Sequence, residues 1–343
     1  MIGFRILAVW LAATLTLPPV AQAQAPAPSQ PARPRAPAPK PQPPATTAPA
    51  PNPAPPGPEL DTPYGAFQRG YYLTAFHEAT KRVDQKGDSK AMTLLGELYA
   101  NGLGVAQSDQ KALEWYRLAT DRGDREAMFA IAMFRASGRA GPQNREEAAR
   151  LFASAAKLGH TAAAYNLGLL YMEGQQFPQD FARAAELFRA AARLGNPESQ
   201  YALATLYKEG RGVPKDPREA TRLMQAAALA DYLDAQVEYA IALFNGNGID
   251  KDESAAAALF LKAARRGSAI AQNRLARILA MGRGIAADPK EATKWHLVSK
   301  AAGANDIWLD GFMQKLSPEI RAEAEKAAKP WLTALAEARQ PRQ

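Results

Sequence analysis

Across the middle of the chain, apolar and small side chains fall at helical spacing, in blocks that repeat every 36 residues. One block carries Ala91, Leu95, Leu98 and Tyr99 and returns as Ala163, Leu167, Leu170 and Tyr171. Residues three and four apart share one helix face, so each block predicts a helix with a buried stripe. Glycine or alanine recurs within it at 96, 132, 168, 204, 240 and 276, small enough for a neighbouring helix to approach closely. A second block opens at Ala112, Ala148, Ala184, Ala220, Ala256 and Ala292. It is expected to bury Trp115, Leu151, Leu187, Leu223, Leu259 and Trp295, with Tyr116, Phe152, Phe188, Met224, Phe260 and His296 beside them.

The polar connectors keep the same register. Gly102, Gly138, Gly174, Gly210, Gly246 and Gly282 stand where a first helix would end in a left-handed residue, a conformation glycine adopts without strain. Gly123, Gly159, Gly195, Gly267 and Gly303 close the second helix, with Asp231 as the one replacement. Ser108, Asn144, Asp180, Asp216, Asp252 and Asp288 fill one position, and all are preferred N-caps. Pro217 and Pro289 follow as first helical residues, and Glu147, Glu219 and Glu291 sit where a capping box would place them. Taken alone, KEGRGVPKDPREA (208–220) could be a phosphate-cradling loop. The turn recurs six times, however, and lacks its second glycine at Ala140 and Gln176. Lys215 aligns with Gln107, Gln143, Gln179, Lys251 and Ala287, so no lysine is required. The stretch is a hairpin connector.

Self-similarity at this period signals a solenoid of helix pairs. The units, as in LGELYANGLGVAQSDQKALEWYRLATDRG and LATLYKEGRGVPKDPREATRLMQAAALAD, resemble Sel1-like repeats, relatives of the tetratricopeptide repeat. The resemblance covers six units over 91–306 and implies an all-α, right-handed α-solenoid with terminal capping helices. It also implies binding rather than chemistry: scaffolds and regulators that assemble complexes through their surfaces. A cysteine-rich branch of the family is linked to β-lactam binding, and this chain, which has no cysteine, inherits nothing from it.

At the front, AFQRGYYLTAFHEATKRVDQKGD places Gly87 in register with Gly123, so an N-terminal helix pair is expected over 59–90. At the back, over 307–343, Ser317 and Pro318 would start a capping helix with Ile320, Ala324, Ala327 and Trp331 on one face. Pro330 is expected to kink or split it. Ahead of everything, Arg5, an apolar run from Ile6 to about Leu17 and the sites Ala21-Gln22-Ala23 and Ala23-Gln24-Ala25 predict a signal peptide over 1–23. The run is too short for a membrane anchor, which needs about 17–25 apolar residues. Residues 24–58, mostly proline and alanine, read as a disordered tether favouring extended polyproline II. The expected location is therefore exported, periplasmic or secreted, with no membrane span once the signal is cut.

Net charge is +8, but Arg5, Arg33, Arg35 and Lys40 precede the first acid, Glu59, which leaves about +4 for the folded part. Both signs are interspersed there, without the basic stripe of a nucleic-acid protein. Without cysteine there is no disulfide, thiolate nucleophile or cysteine-bound zinc, and stability must come from the core. His77, His160 and His296 are far apart in repeat order. His296 falls in the aromatic core slot, and His160 follows a helix-ending glycine and reads as a solvated turn residue. No metal-spaced cluster or hydrolase motif occurs, so no catalytic residue, cofactor or metal is expected.

One constellation points to binding. If first helices line the concave side, successive units present Thr93, Glu97, Ala100; Phe129, Met133, Ala136; Tyr165, Leu169, Met172; Tyr201, Thr205, Lys208; Val237, Ile241, Phe244; and Asn273, Arg277, Ala280. The middle four are largely apolar or aromatic, as a groove for a peptide or partner helix would be. The candidates are Phe129, Met133, Tyr165, Leu169, Met172, Tyr201, Lys208, Ile241, Phe244 and Arg277. The same side chains could instead pack between units as core. The partner would be a protein or peptide of envelope signalling or assembly. A carbohydrate-envelope binder is the rival, using Tyr165 beside Asn166 or Tyr201 beside Gln200; a hydrolase is the remaining one.

Overall fold

The structure, a computed structural model, describes residues 62–175 and 177–339. The expected signal peptide and the proline-rich segment lie outside the described residues, as does the start of the N-terminal pair. Helices α1 (Thr62–Gln68) and α2 (Tyr72–Lys86) come first. Six pairs follow: α3 (Ser89–Asn101) with α4 (Asp109–Thr120), α5 (Arg125–Ser137) with α6 (Arg145–Lys157), and α7 (Thr161–Glu173) with α8 (Phe181–Arg193). Then come α9 (Pro197–Glu209) with α10 (Pro217–Leu229), α11 (Leu233–Asn245) with α12 (Glu253–Arg265), and α13 (Ala269–Met281) with α14 (Pro289–Ala301). Helices α15 (Ile307–Gln314) and α16 (Pro318–Arg339) end the described residues, and no strand occurs among them. Each helix packs mainly on the ones before and after it in sequence, as in an all-α solenoid. The first pair opens at Ser89 rather than Ala91, because Asp88 caps it through the Lys90 and Ala91 amides.

Each pair closes where an aromatic or other bulky side chain of its second helix meets a small residue of its first. A Cβ at Gly96 would lie 2.5 Å from the Tyr116 ring, and one at Gly168 2.5 Å from the Phe188 ring. This corrects the expected burial. The Tyr116, Phe152, Phe188, Met224, Phe260 and His296 row is fully buried, whereas Trp115, Leu151, Leu187 and Leu259 are half-buried. Only Leu223 and Trp295 of that second row go deep. The half-buried row packs between units: Leu151 lies against the cores on both of its sides.

The connectors do two jobs. Gly102, Gly138, Gly174, Gly210, Gly246 and Gly282 all take the left-handed conformation, with φ between 66° and 74°. Six residues further on, the cap holds both helices. Asp216 accepts from the Arg218 and Glu219 amides of α10, while its own amide donates to the Tyr207 carbonyl of α9 at 3.0 Å. The amides of Ser108, Asn144, Asp180, Asp252 and Asp288 donate in the same way to Tyr99, Arg135, Tyr171, Leu243 and Leu279. That pre-empts the reciprocal half of the expected capping boxes. With the cap amide taken, Glu147 pairs with Arg135, Glu219 with Arg222 and Glu291 with Lys294.

The ends differ from expectation in one respect. Ser317 caps α16 through the Ile320 amide, and Trp331 lies 4.9 Å from Trp295, sealing the last pair. Pro330, however, sits inside α16 without splitting it. Its missing N–H costs one bond on a face that is exposed, where water can satisfy the orphaned carbonyl.

In the four connectors that keep it (Gly104, Gly212, Gly248 and Gly284), the second glycine seats the unit on the helix pair before it. A Cβ at Gly248 would overlap the Pro217 carbonyl, whereas Gly267, also at positive φ, has nothing nearby. Gly248→Ala should therefore cost at least about 2 kcal/mol, against about 1 kcal/mol for Gly267→Ala. Urea denaturation of the two variants measures the difference, and equal losses would show that the close approach contributes nothing.

Candidate functional site

The first helices bring one aromatic position into line. Phe129 of α5, Tyr165 of α7 and Tyr201 of α9 occupy the same register, each half-buried. The inner part of each ring is anchored: Phe129 stacks on His160 at 4.3 Å, Tyr165 lies 5.7 Å from Phe188 and Tyr201 5.3 Å from Tyr232. Met133, Met172, Ile241 and Phe244 are also half-buried, and Arg283 covers the Phe244 ring at 4.3 Å. The row is thus both core and surface, its inner edge packed and its outer edge open.

Two candidates leave the groove. Leu169 is 4% exposed and packs among Ala184, Ala185, Phe188 and Leu203. Its position on α7 turns it into the seam with the next unit. Arg277 is committed to a clamp. Its guanidinium grips the Asp306 carboxylate at 2.6 and 2.9 Å and lies over Trp308 at 5.3 Å. Asn273 adds a third bond at 2.9 Å, and the Trp308 and Leu309 amides complete the cap of α15. Burial alone would raise the Asp306 carboxyl, but Arg277, Asn273 and the Leu309 amide together hold it well below the usual range.

Lys208 and Ile241 meet in a cleft of about 480 Å³ between α9, α10 and the end of α11. Met224, Thr221 and Asn247 form its floor and wall, and Glu238 closes on the lysine at 2.7 Å. The cleft is too engaged with its own ion pair to present a free lysine.

The richest surface adds a residue that sequence reasoning missed. Tyr232 caps α11, and it is the only first-helix cap of the six repeats that makes no side-chain bond; Asp88, Asp124, His160, Asn196 and Ser268 all do. The residue before it is equally irregular: Asp231 takes φ 61°, where the other repeats have glycine. Lys262, at 2.6 Å, and Gln236, at 3.0 Å, hold its carboxylate, and Arg266 takes its carbonyl at 2.9 Å. The signal was present in the sequence as a tyrosine in a cap register.

Tyr165, Tyr201 and Tyr232 feel one another's charge and that of Glu198, Asp234 and Glu238. Burial first, and then these carboxylates, push the Tyr165 and Tyr201 phenols up to about 12, and Tyr232 higher still. Among the described residues Glu198 and Asp234 carry no ion pair, so the patch is aromatic with net negative charge. Its neighbouring amides are occupied: Asn166 is buried and donates to the Ala162 carbonyl, and Gln200 donates to Ala192. The amide-and-ring platform expected of a carbohydrate site is not formed.

His160 is corrected too. It is 8% exposed rather than solvated, because it caps α7: Nδ1 accepts from the Ala163 amide at 3.0 Å. Nε2 is therefore the protonated nitrogen and donates to Glu126 at 2.9 Å, which lowers the Glu126 carboxyl. His296 is fully buried as expected, 2.8 Å from Asp310, and His77 is exposed. Among the described residues no cluster could hold a metal ion and no helix is long and apolar enough to cross a membrane.

Stacked two-helix units with a surface of anchored rings define an α-solenoid of the kind that generally serves protein interaction. Residues 89–124, 125–160, 161–196, 197–232, 233–268 and 269–303 each match the Sel1 repeat, and the chain belongs to that family. A Sel1 repeat protein from Oxalobacter formigenes is similar at 26% identity, over 70% of this chain and 98% of its own, with a TM-score of 0.64. The protective antigen c5321 of uropathogenic Escherichia coli, described as displaying an SLR fold, is 25% identical over 79% of this chain and 68% of its own, with a TM-score of 0.52. No curated protein matches.

Two outcomes test the geometry. Arg277→Ala strands the buried Asp306 carboxylate and should cost about 2–3 kcal/mol. Asp306→Asn with Arg277→Ala should recover part of that loss in a double-mutant cycle. For the tyrosines, folded phenols at about 12 lie above the unfolded value of about 10. The folded state holds these protons more tightly, so their stabilising contribution is complete below pH 10 and lost as pH rises towards 12. Alkaline denaturation should be shallower in the Tyr165→Phe, Tyr201→Phe double variant than in the wild type, and tyrosinate absorbance should lose its latest-titrating component.

Proposed function

We propose that the protein is a non-catalytic scaffold or regulator of the cell envelope that holds a peptide or protein partner in the concave groove of its first helices. The observation that carries this reading is the tyrosine patch of Tyr165, Tyr201 and Tyr232 with Glu198 and Asp234 beside it. Anchored aromatic rings offer contact area at little entropic cost, because packing has already fixed their rotamers. The flanking carboxylates favour a partner segment carrying lysine or arginine. The N-terminal signal sequence supports an exported, periplasmic or secreted location, and the proline-rich segment supports a tether there. Residues outside the patch also fit binding better than chemistry: both buried histidines are committed to carboxylates, and neither faces a nucleophile.

Crosslinking in intact cells followed by mass spectrometry identifies the partner. Tyr201→Ser and Asp234→Lys should each lower its capture at least about tenfold, equivalent to about 1.4 kcal/mol, while the melting temperature of the Asp234→Lys variant falls only by the few degrees expected from reversing a charge in the first turn of α11. Undiminished capture by both variants would remove the patch from the binding surface.

A further inference from the structure

The tyrosine patch breaks the repeat's own rules. In five of the six units a polar side chain caps the first helix, and in five a glycine precedes the following cap or closes the second helix. At 231–232 both rules fail together: Asp231 takes a left-handed conformation that costs about 1 kcal/mol for a non-glycine residue. Tyr232 forgoes a cap worth about as much again. Lys262, Gln236 and Arg266 compensate Asp231, but no side-chain bond replaces the cap that Tyr232 gives up, and a local rule abandoned in this way marks a surface suited to another purpose. What is obtained is a ring 5.3 Å from Tyr201, extending the aromatic row across the seam between α9 and α11.

The chain itself carries a segment suited to this surface. Residues 30–44 read QPARPRAPAPKPQPP and hold Arg33, Arg35 and Lys40 without an acid. Proline-rich segments pre-set in the polyproline II form lose little entropy on docking, and they dock on rows of aromatic rings. Guanidinium and ammonium groups complement Glu198 and Asp234, whereas Glu238 is already paired with Lys208. The length also fits. A stretch of 17 residues, the length of 45–61, would reach about 50 Å if extended at about 3.1 Å per residue. From α1 to α9 the path crosses four first helices at about 10 Å each, about 40 Å.

Resting on the groove reading above, we propose that residues 30–44 of this chain occupy the Tyr165–Tyr201–Tyr232 patch, so that the tether covers its own binding surface until a partner displaces it. The occupant is intramolecular, at an effective concentration of about millimolar for a tether of this length. A weak contact is therefore populated without blocking a partner of higher affinity.

The absence of native cysteine makes the test direct, because two introduced thiols can be spin-labelled cleanly. In the full chain, labels at Ala36→Cys and Leu194→Cys report the distance from the segment to the exposed turn before α9. Docking predicts one narrow distance peak by pulsed electron resonance. Charge reversal at Arg33, Arg35 and Lys40, Asp234→Lys, or an excess of free 30–44 peptide should each reduce that peak several-fold and replace it with a broad distribution. Circular dichroism should show the same melting curve for the charge-reversed chain, which alters no residue of the helical body. A broad distribution in the parent chain overturns the proposal, as does a narrow peak indifferent to all three changes. Self-docking can fail while crosslinked capture of a partner still depends on Tyr201 and Asp234. In that case the groove reading survives and the occupant is wrong; loss of both dependences sinks both.

Discussion

The architecture depends on a residue that serves two helices at once. At each second-helix cap, the side-chain oxygen satisfies amides that α10 and its counterparts would otherwise leave unpaired, and the backbone N–H satisfies a carbonyl in the last turn of the first helix. One short polar residue thus fixes both the end of one helix and the start of the next. Because both bonds converge on one residue, the end of the first helix and the start of the second are tied to each other. The bulky residues of the second helix then meet the small residues of the first at a fixed distance, as with Phe188 over Gly168. The second connector glycine extends this from pair to pair: Gly248 rests on the Pro217 carbonyl because it has no Cβ to hold it off. Repetition of a single local geometry is therefore enough to build the whole stack, as nearest-neighbour coupling in solenoids requires.

Most of that geometry could be read in the sequence, because a glycine at positive φ and a short polar cap are each demanded by the backbone itself. Gly102, Asp216 and their equivalents are nearly irreplaceable in type, so they stand out at one period. The capping boxes could not be read in the same way. Glu219 and Glu291 are correctly placed for a box, but the amide they would serve already belongs to the other helix of the pair, a tertiary fact with no local trace. The two rows of large residues in the second helix were separable only once Gly96 and Gly168 were known to face the Tyr116 row. For His160 the local signal was misleading: following a glycine suggested a turn, whereas the register of Asp88, Asp124, Asn196 and Ser268 identifies a cap. Its imidazole can cap only while Nδ1 is unprotonated, so the Glu126 contact also fixes the tautomer on which the helix start depends.

The candidate surface is legible in part for a different reason. A position that is half core and half surface, as Tyr165 and Tyr201 are, obeys the packing period and so appears in the same column as purely structural residues. Leu169 appears in that column's neighbour and is core; nothing in its spacing distinguishes it from Met172, which stays half-buried. Arg277 looked like a groove cation until Asp306, beyond the last repeat, was seen to claim it. What does identify the patch is a departure from the period rather than agreement with it. Asp231 and Tyr232 are the adjacent positions at which both the glycine and the cap are abandoned, and the Tyr232 ring meets Tyr201 of the preceding unit.

That contrast bears on how a repeat protein acquires a particular partner. The positions that close a pair recur in all six units with similar residue types, so they do little to distinguish one stretch of the stack from another. Specificity must come from positions where one unit differs from its copies at a cost in stability that the remaining contacts can absorb. Asp231 shows how the cost is met: Lys262, Gln236 and Arg266 gather around a residue that glycine would have made unnecessary. The compensation is made entirely at Asp231, and the Tyr232 ring, which makes no cap bond, packs against Tyr201 instead. A side chain released from capping but packed against Tyr201 and the Ala227–Ala228–Ala235 cluster is already ordered, and a ligand reaching it would not have to supply that order from its own binding energy.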